Sequence, residues 1–462
     1  LNSGLLVGTE SGDLYQYQGQ EFTLFEAESE PYLAAHELYD GVELRSGAFA
    51  LATLRGGVLM MDRTGQTLQV LDKRTGLVDN DIKSLFVDRQ GGLWLASGGG
   101  LSRVDVLSPL SFYDERIGLE GDAYAIERYN GDVYAGTSAG VYRLGSTSGP
   151  GSTTEARFQL VPGLRAQVFD LKATSSGLLV ASDKGVYAIE PDRMRRVGSG
   201  RTAFGLHVSR YDSTVAYVGY IDGVGTLRRT DDEWIQGASL GGFNREVHYL
   251  NEDEAGAQWD ASAFGGLWRV DVANGLQGAP LVQPVAEEAN MPQHTFRMAF
   301  ADEGLRVLTR SGVARPVVNE TGRVSLQADS TFHQVLPADH APIQTVEVGP
   351  DSDVWILTSE TVYWVRQEAE DGYSVSTPVR QISEFETLDA LSEPDGVFWL
   401  AGERGVVRHV PRRTRMPTPS IRTLIRRVAT VATDSMIYGG NARQDIIASN
   451  RETRAVLTYD HN

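Results

Sequence analysis

The side chains that most often carry out covalent chemistry are sparse and scattered in this chain. It contains no cysteine, which excludes thiol nucleophiles, disulfides and zinc–thiolate clusters. Neither Gly-x-x-x-x-Gly-Lys-Ser/Thr nor His-Glu-x-x-His occurs, so phosphate-binding loops and that class of zinc site are excluded as well. The eight histidines never stand two apart, the spacing that places two imidazoles on one face of a strand. The sequence therefore predicts no catalytic residue, no metal and no cofactor.

Several polar and aromatic residues could instead bind a ligand without changing it. Arginine forks onto a carboxylate or sulfate, and aromatic rings stack on the C–H faces of a sugar, so the mixture suits a sugar or an acidic saccharide. Arg245 beside His248 is also the nearest approach to the cation and base that a polysaccharide lyase needs. The candidate binding residues are Asp122, Tyr124, Gln167, Arg201, Phe204, Arg245, His248, His294, Phe296 and Gln344.

Two acidic runs, residues 251–254 and 351–353, carry the oxygen ligands that calcium prefers. Both fall where turns between strands are expected, and we interpret them as solvated turns. His207 and His248 occupy similar places in successive repeats and could be neighbours. We interpret them as half-buried strand histidines, each with a hydrogen-bond partner.

Composition limits the class of protein. The chain has 462 residues, is 41% hydrophobic and has a formal net charge of −19. This balance is globular, and the excess of acid argues against nucleic-acid binding, which needs a basic face. No apolar run reaches the roughly 18 residues that span a bilayer.

Glycine organises the chain into repeats. Each copy has a short apolar strand, a pair of small residues, a few polar residues, a hinge glycine and a second apolar strand, as in residues 92–105. One copy lacks the glycine and has Thr361 at the hinge position. Glycine suits the hinge because hairpin turns need positive φ, and the small pair is expected where blades narrow toward an axis. A period in the low forties is typical of an all-β propeller of four-stranded blades. The hinges fall at positions 12, 57, 100, 140, 185, 225, 266, 312, 361 and 405.

Residues 76–97 have a more specific sequence pattern than the other copies of the repeat. They contain Gly-Leu, an Asn at position 80, an apolar strand, Asp-x-x-Gly at 88–91 and Leu-Trp-Leu-Ala-Ser. This segment resembles the two-component regulator propeller repeat. The resemblance implies two successive seven-bladed propellers in the extracytoplasmic sensor region of a bacterial regulator, followed by an immunoglobulin-like domain, a membrane helix and an output module such as a histidine kinase.

The family's blade count implies a division of the chain. Counting back seven blades from residue 410 gives a ring over residues 120–410, with residues 1–119 as three blades of a preceding ring. Residues 411–462 begin with a Pro-rich basic linker and then read as the truncated start of the immunoglobulin-like domain.

The leading hypothesis is an extracytoplasmic, periplasmic ligand-sensing module of a two-component-type protein, which recognises a small molecule or oligosaccharide such as a glycan fragment. We expect no enzymatic activity in this region and no nucleic-acid partner. Membrane attachment is expected through segments outside the chain, and a homodimer is left open. Two alternatives remain, a secreted or cell-surface propeller scaffold and a propeller-type polysaccharide lyase.

Overall fold

The structure is a computed structural model. It describes residues 4–106, 108–145, 157–190, 193–241, 243–262, 266–271, 281–285, 297–301, 304–309, 312–319, 323–329, 336–337, 340–341, 343–349, 353–368, 372–378, 385–393, 396–410, 427–429 and 436–439.

Three antiparallel sheets open the chain, and we call them the N-terminal sheets. A seven-residue helix, α1 (Glu30–His36), lies between the first and the second. The strands of the first are β1 (Leu5–Gly8), β2 (Leu14–Gln18) and β3 (Glu21–Leu24); those of the second are β4 (Leu38–Glu43), β5 (Phe49–Thr53), β6 (Val58–Met61) and β7 (Thr67–Leu71); those of the third are β8 (Ile82–Val87), β9 (Leu93–Ser97) and β10 (Gly100–Val104).

Seven four-stranded antiparallel sheets follow in the described residues, and we number them blades 1 to 7. Each runs in chain order from a first to a fourth strand, apart from blade 7, whose fourth strand is β11 (Leu110–Tyr113), just before a 3₁₀-helix over Glu115–Ile117. The strands are, for blade 1, β12 (Ala123–Tyr129), β13 (Asp132–Thr137), β14 (Gly140–Leu144) and β15 (Phe158–Leu160); for blade 2, β16 (Val168–Thr174), β17 (Gly177–Ser182), β18 (Gly185–Glu190) and β19 (Arg193–Arg196); for blade 3, β20 (Ala203–Val208), β21 (Val215–Tyr220), β22 (Gly223–Thr230) and β23 (Glu233–Ser239); for blade 4, β24 (Tyr249–Glu252), β25 (Gln258–Ala261), β26 (Leu267–Asp271) and β27 (Leu281–Pro284); for blade 5, β28 (Arg297–Ala301), β29 (Gly304–Thr309), β30 (Gly312–Val318) and β31 (Val324–Ala328); for blade 6, β32 (Ile343–Val348), β33 (Val354–Thr358), β34 (Val362–Glu368) and β35 (Gly372–Ser376); and for blade 7, β36 (Thr387–Ser392), β37 (Phe398–Gly402) and β38 (Gly405–His409).

The seven blades form a closed cycle. Successive blades touch through their first strands, and the first strand of blade 7 also touches that of blade 1. The fourth strand of blade 7 comes from the opposite end of the cycle, because β11 pairs antiparallel with β38 from Leu110↔His409 to Tyr113↔Val406. The Tyr113 ring contacts Trp399 of blade 7 and Phe158 of blade 1, both at 5.7 Å. The predicted propeller class is confirmed. The predicted division at residues 119 and 120 stays a prediction, and β11 lies before it.

Apolar side chains fill the spaces between blades, as a propeller requires, since one sheet cannot bury its faces alone. Between blades 6 and 7 the rings of Trp355 and Phe398 stack at 3.9 Å, and both are fully buried. The third N-terminal sheet buries only one face, against the second sheet. Its other face exposes Phe86, Trp94 and Leu101.

Residues 413–462 separate from the rest as a second compact unit. Its described strands, β39 (Arg427–Ala429) and β40 (Met436–Gly439), pair antiparallel. The predicted immunoglobulin-like start stays a prediction, because most of it lies outside the described residues. In the described part of the chain, no helix has the length and apolar character needed to cross a membrane.

The hinge turns explain two recurring features of the repeat, the hinge glycine and the small residue that precedes the turn. Hinge glycines such as Gly140 and Gly185 have φ of +146° and +107°, which side chains with a Cβ avoid. The small residue before the turn also stabilises it by hydrogen bonding. The Thr137 and Ser182 hydroxyls donate to the carbonyls of Gly140 and Gly185 at 3.2 and 2.7 Å. In blade 3 the hinge is Gly223, with φ of +140°, and the predicted hinge at Gly225 is wrong. Gly225 lies within β22, opposite Val218.

The Asp-x-x-Gly turn explains the tryptophan of the repeat. Asp88 Oδ1 accepts the amides of Gln90 and Gly92, while its Oδ2 accepts Trp94 Nε1 and Arg103 Nε, both at 3.0 Å. One carboxylate therefore ties the turn to the second and third strands of its blade.

Blade 4 repeats this arrangement where no second intact turn was predicted. Asp253 Oδ2 accepts Trp259 Nε1 at 3.0 Å and Arg269 Nε at 2.9 Å, and its Oδ1 accepts two turn amides. The Asp253 carboxylate is buried, so these donors replace the water that it loses.

Replacing Trp259 by Phe should lower the free energy of unfolding by about 1–3 kcal/mol, because a buried carboxylate then loses a donor that water cannot replace. The matched variant Trp94→Phe should cost clearly less, since Trp94 is 38% exposed and solvent reaches Asp88. Urea unfolding followed by circular dichroism measures both. Equal losses at the two sites would contradict this account of the turn.

A chain that starts at residue 105 and ends at residue 412 should unfold in one cooperative transition. One that starts at residue 120 lacks β11 and leaves the edge of β38 unpaired, so we expect it to lose roughly 3 kcal/mol or more of stability. Calorimetry of the two fragments compares them. Equal transitions would show that β11 does not close the cycle.

Candidate functional site

A β-bulge near the start of the first strand recurs around the cycle. In blades 1, 2, 3, 6 and 7 the pairing of the first and second strands shifts by one residue. A bulge leaves one residue unpaired and re-aims its side chain. The first strands line the axis of a propeller, so the bulged residues mark one end of the central channel. They are Tyr124, Phe169, Phe204, Gln344 and Leu388.

Aromatic rings from four consecutive blades follow one another along this end. The centroids of Tyr124 and Phe169 are 6.3 Å apart, and those of Phe169 and Phe204 are 5.0 Å apart. The imidazole of His248 then stacks on Phe204 at 4.2 Å. All four rings are only partly buried, so they present ring surface to solvent. We call Tyr124, Phe169, Phe204 and His248 the aromatic arc.

Charged side chains lie deeper along the same strands. Lys172 follows Phe169 by three residues on β16, and its Nζ is 3.9 Å from Glu127 Oε2 at the matching position of β12. The lysine side chain is 47% exposed although blades surround it, which indicates an open, solvent-accessible channel. We call the following residues the channel cluster: Glu127, Asp170, Lys172, Arg297, Glu347 and Asp389.

Two members of the cluster also join blades. Asp170 Oδ2 of blade 2 accepts the Leu206 amide of blade 3 at 2.7 Å. Asp389 Oδ2 of blade 7 accepts the Ile126 amide of blade 1 at 2.9 Å, across the closure of the cycle. The second and third N-terminal sheets repeat the contact, from Asp40 to the Leu85 amide at 2.8 Å.

Burial has the largest effect on the pKa values of the carboxyl groups in the channel. Burial raises the pKa of Asp170 to about 7, that of Glu347 to about 8 and that of Asp389 to about 6. The blades around the channel separate Lys172 from bulk solvent, which opposes its charge, but the surrounding carboxylates outweigh this effect and raise the lysine pKa. The cluster can therefore change its charge near neutral pH.

Several of the predicted site residues lie at or beside the aromatic arc. Tyr124, Phe204 and His248 belong to the arc, and Gln167 hydrogen-bonds the Tyr124 side chain. Burial, followed by the charges of Asp122 and Glu403, raises the pKa of the Tyr124 hydroxyl. Asp122 therefore lies beside the arc.

Gln344 occupies the bulge of blade 6. Its Oε1 is buried and has no hydrogen-bond partner among the described residues. His294 and Phe296 lie outside the described residues.

The two predicted arginines are engaged with other groups. Arg201 donates to Asp222 at 2.7 Å, and its guanidinium lies 4.2 Å over the Tyr220 ring. Arg245 lies 5.4 Å over the indole of Trp268, on the third strand of blade 4. His248 bonds Glu246 at 3.0 Å, and burial lowers its pKa to about 4, so it is a neutral ring at pH 7.

Other sequence features have structural roles here. Asp253, in the first acidic run, is occupied by its turn, and Glu252 bonds His207 at 3.3 Å and Ser209 Oγ at 2.9 Å. Burial lowers the pKa of His207 despite that partner. In the second run, residues 351 and 352 lie outside the described residues. Over the described ranges, no three acidic or histidine side chains are grouped to hold a metal.

Residues 136–140, Gly-Thr-Ser-Ala-Gly, match the Gly-x-Ser-x-Gly pattern of nucleophile elbows, and sequence reasoning missed this match. They form the hinge turn between β13 and β14, without the strand-to-helix turn that exposes a catalytic serine. Ser138 Oγ accepts the Asp122 amide at 3.2 Å.

Phe169 and the channel cluster were also missed, because the bulge by which the first strands align is visible only in the structure. In that alignment Tyr124, Phe169, Phe204 and Gln344 share one column. Three residues later stand Glu127, Lys172, His207 and Glu347.

Known proteins resemble this chain in repeat and in fold. Residues 76–99 match the family described as Two component regulator propeller. This segment is a two-component regulator propeller repeat. The predicted resemblance is confirmed there, and the Asp88 turn with Trp94 lies inside the match. No curated protein sequence matches the chain.

Solved structures share the propeller fold. The structure named as the extracellular domain of the hybrid two component system BT3049 from B. thetaiotaomicron is 12% identical with a TM-score of 0.62, and the match covers 89% of this chain and 55% of that one. For BT4673 of the same organism the identity is 14%, the TM-score 0.50, and the coverage 94% and 60%. Virginiamycin B lyase from Staphylococcus aureus matches at 12% identity and a TM-score of 0.46, over 65% of this chain and 97% of that one. The chain spans little more than half of the two-component structures.

Glu347→Gln should change how stability depends on pH. The folded protein holds the Glu347 proton to about pH 8, whereas the unfolded chain releases it near the ordinary value of 4.5. Unfolding therefore releases a proton between these values, and the wild-type melting temperature should fall relative to the variant as pH rises through that window. Thermal melts between about pH 5 and 8 measure the difference. The exposed Glu360→Gln in the same blade is the control, and a constant difference for Glu347→Gln would refute the expectation.

Proposed function

We propose that the chain is an extracytoplasmic ligand-sensing module of a two-component-type signalling protein, and that the aromatic arc at the channel end binds the ligand. The repeat at residues 76–99 supports the regulator class. The observation that carries the site is the continuous row of rings from Tyr124 to His248, contributed by four separate blades.

A sugar-containing ligand fits the arc. Partly exposed rings in a row offer stacking surface for C–H faces, and each favourable contact contributes about 0.5–1.5 kcal/mol. Gln344, at the same end of the channel, has a buried amide oxygen for which the described residues supply no hydrogen-bond partner. We place the module on the periplasmic side of a membrane, attached through segments outside this chain, with the predicted ring of residues 120–410 closed by β11. Neither a catalytic role nor nucleic-acid binding is part of this proposal.

A surface scaffold is the second candidate, because one observation favours it. Phe22 is 62% exposed and Leu24 56% exposed on the first N-terminal sheet, and Phe86 is 64% exposed on the third. Exposed apolar faces of this kind mark contacts with other protein surface. These faces belong to the N-terminal sheets, so the two candidates can be tested at different surfaces.

A lyase has less support. Arg245 and His248, its predicted residues, contact different partners, and the neutral His248 ring is stacked on Phe204. The proposal therefore keeps the arc as a binding surface.

Replacing Phe169 and Phe204 together by alanine should weaken ligand binding by about tenfold or more, because two stacking surfaces are lost. A glycan array of the full chain identifies ligands, and calorimetry compares the variants. Phe86→Ala removes an exposed ring on the third N-terminal sheet and is the matched control. Unchanged glycan binding in the double variant would refute the arc as the site, whereas loss with Phe86→Ala would move the glycan site to the N-terminal sheets.

A further inference from the structure

Charges around the aromatic arc differ from those expected for an acidic saccharide. The two arginines that were expected to meet a carboxylate or sulfate are held by Asp222 and by the Trp268 ring. Beside Tyr124 lie instead the carboxylates of Asp122 and Glu403. An anionic ligand that stacks on Tyr124 would therefore approach the negative charges of Asp122 and Glu403.

Deeper in the channel, acid again exceeds base. Glu127, Asp170, Glu347 and Asp389 face Lys172 and Arg297, which gives four carboxyl groups against two cations. The negative charge exceeds the positive charge once Asp389, Asp170 and Glu347 have ionised, between about pH 6 and 8. Arg297 is partly engaged, because it donates to the Leu388 carbonyl at 2.7 Å and lies 5.1 Å over Tyr249. On blades 3 and 4 the facing pair is His207 with Glu252, which satisfy each other.

The arc itself suits a positive charge. Aromatic faces attract ammonium groups through the ring quadrupole, most strongly where water is partly excluded. In the described part of the chain, no donor meets Gln344 Oε1, which is an acceptor. The chain's net charge of −19 also attracts cations from solution.

From these contacts we infer that the ligand of the channel site is an organic ammonium, such as an amino sugar, whose cation lies against the aromatic arc above the channel cluster. This inference rests on the proposed ligand-binding function and replaces the acidic saccharide expected from the sequence. The cation would supply a donor for Gln344 and oppose the excess of carboxylate.

Binding of such a cation should be linked to protons. Asp170, Glu347 and Asp389 hold protons near neutral pH because burial raises their pKa values. A bound cation favours their ionised forms and would release part of those protons. Affinity for a cation of fixed charge should therefore rise between about pH 6 and 8, while affinity for a neutral ligand of the same shape should not.

Choline and 3,3-dimethyl-1-butanol provide a matched test, because they differ by the charge of one atom and choline does not titrate. With the full chain, calorimetry should give choline an affinity at least about tenfold higher than that of the alcohol. Glucuronate is the anionic probe. Phe169→Ala should weaken choline binding, and the near-isosteric Glu347→Gln should weaken it and flatten its pH dependence while leaving the melting transition cooperative.

The outcomes separate the two proposals. Equal binding of choline and the alcohol, or preference for glucuronate with loss in Phe169→Ala, would overturn the ammonium inference and leave the arc as the ligand site. Choline binding that Phe169→Ala and Glu347→Gln leave unchanged would also overturn it. Failure of the arc itself is decided separately, by the glycan array with the Phe169 and Phe204 double variant.

Discussion

Closure of the cycle is the constraint on which the rest of the structure depends. Seven sheets packed face to face have two ends, and each end would expose an apolar face unless the two ends meet. Pairing of β11 with β38 joins them, and Tyr113 packs between blade 7 and blade 1. Asp389 adds a hydrogen bond to the Ile126 amide across the same junction. Only when the ends meet do the first strands enclose a channel.

The N-terminal sheets show what the absence of such closure does. The third sheet has the same Asp-Trp-Arg turn as blade 4, yet Trp94 is 38% exposed where Trp259 is fully buried. Their local hydrogen bonds are nearly the same in length, so the difference lies in what covers the face of the sheet. Local sequence therefore sets the blade, and neighbouring blades set the burial of its side chains.

Much of the fold could be predicted from the sequence because it depends on local rules. Hinge glycines mark turns with positive φ, and apolar strands between them fix the repeat, so every predicted hinge except Gly225 falls at or next to a turn between consecutive strands. The exception was blade 3, where Gly223 and Gly225 both fit the pattern and only strand register separates them.

The site was harder to predict because its residues lie far apart in sequence and meet only around the axis. Tyr124, Phe204 and His248 of the aromatic arc were among the predicted candidates, whereas Phe169 was not, because the bulge that aims it has no sequence signature of its own. The partners of Arg201 and Arg245 were not visible in the sequence for a related reason. A charged residue near a channel is free to bind only if its own blade offers no partner, and Asp222 and Trp268 are such partners.

The recurring bulge has a consequence for how this kind of protein can diversify. In each bulged blade, one residue is left out of the pairing between the first and second strands. That position carries Tyr, Phe, Gln or Leu in different blades, while the pairing of the neighbouring residues is unchanged. Evolution can therefore exchange these side chains one at a time, with little effect on folding. In a scaffold of this kind, the residues that determine the fold are separate from those exposed at the end of the channel. Related proteins could therefore acquire new binding specificities through a few point substitutions.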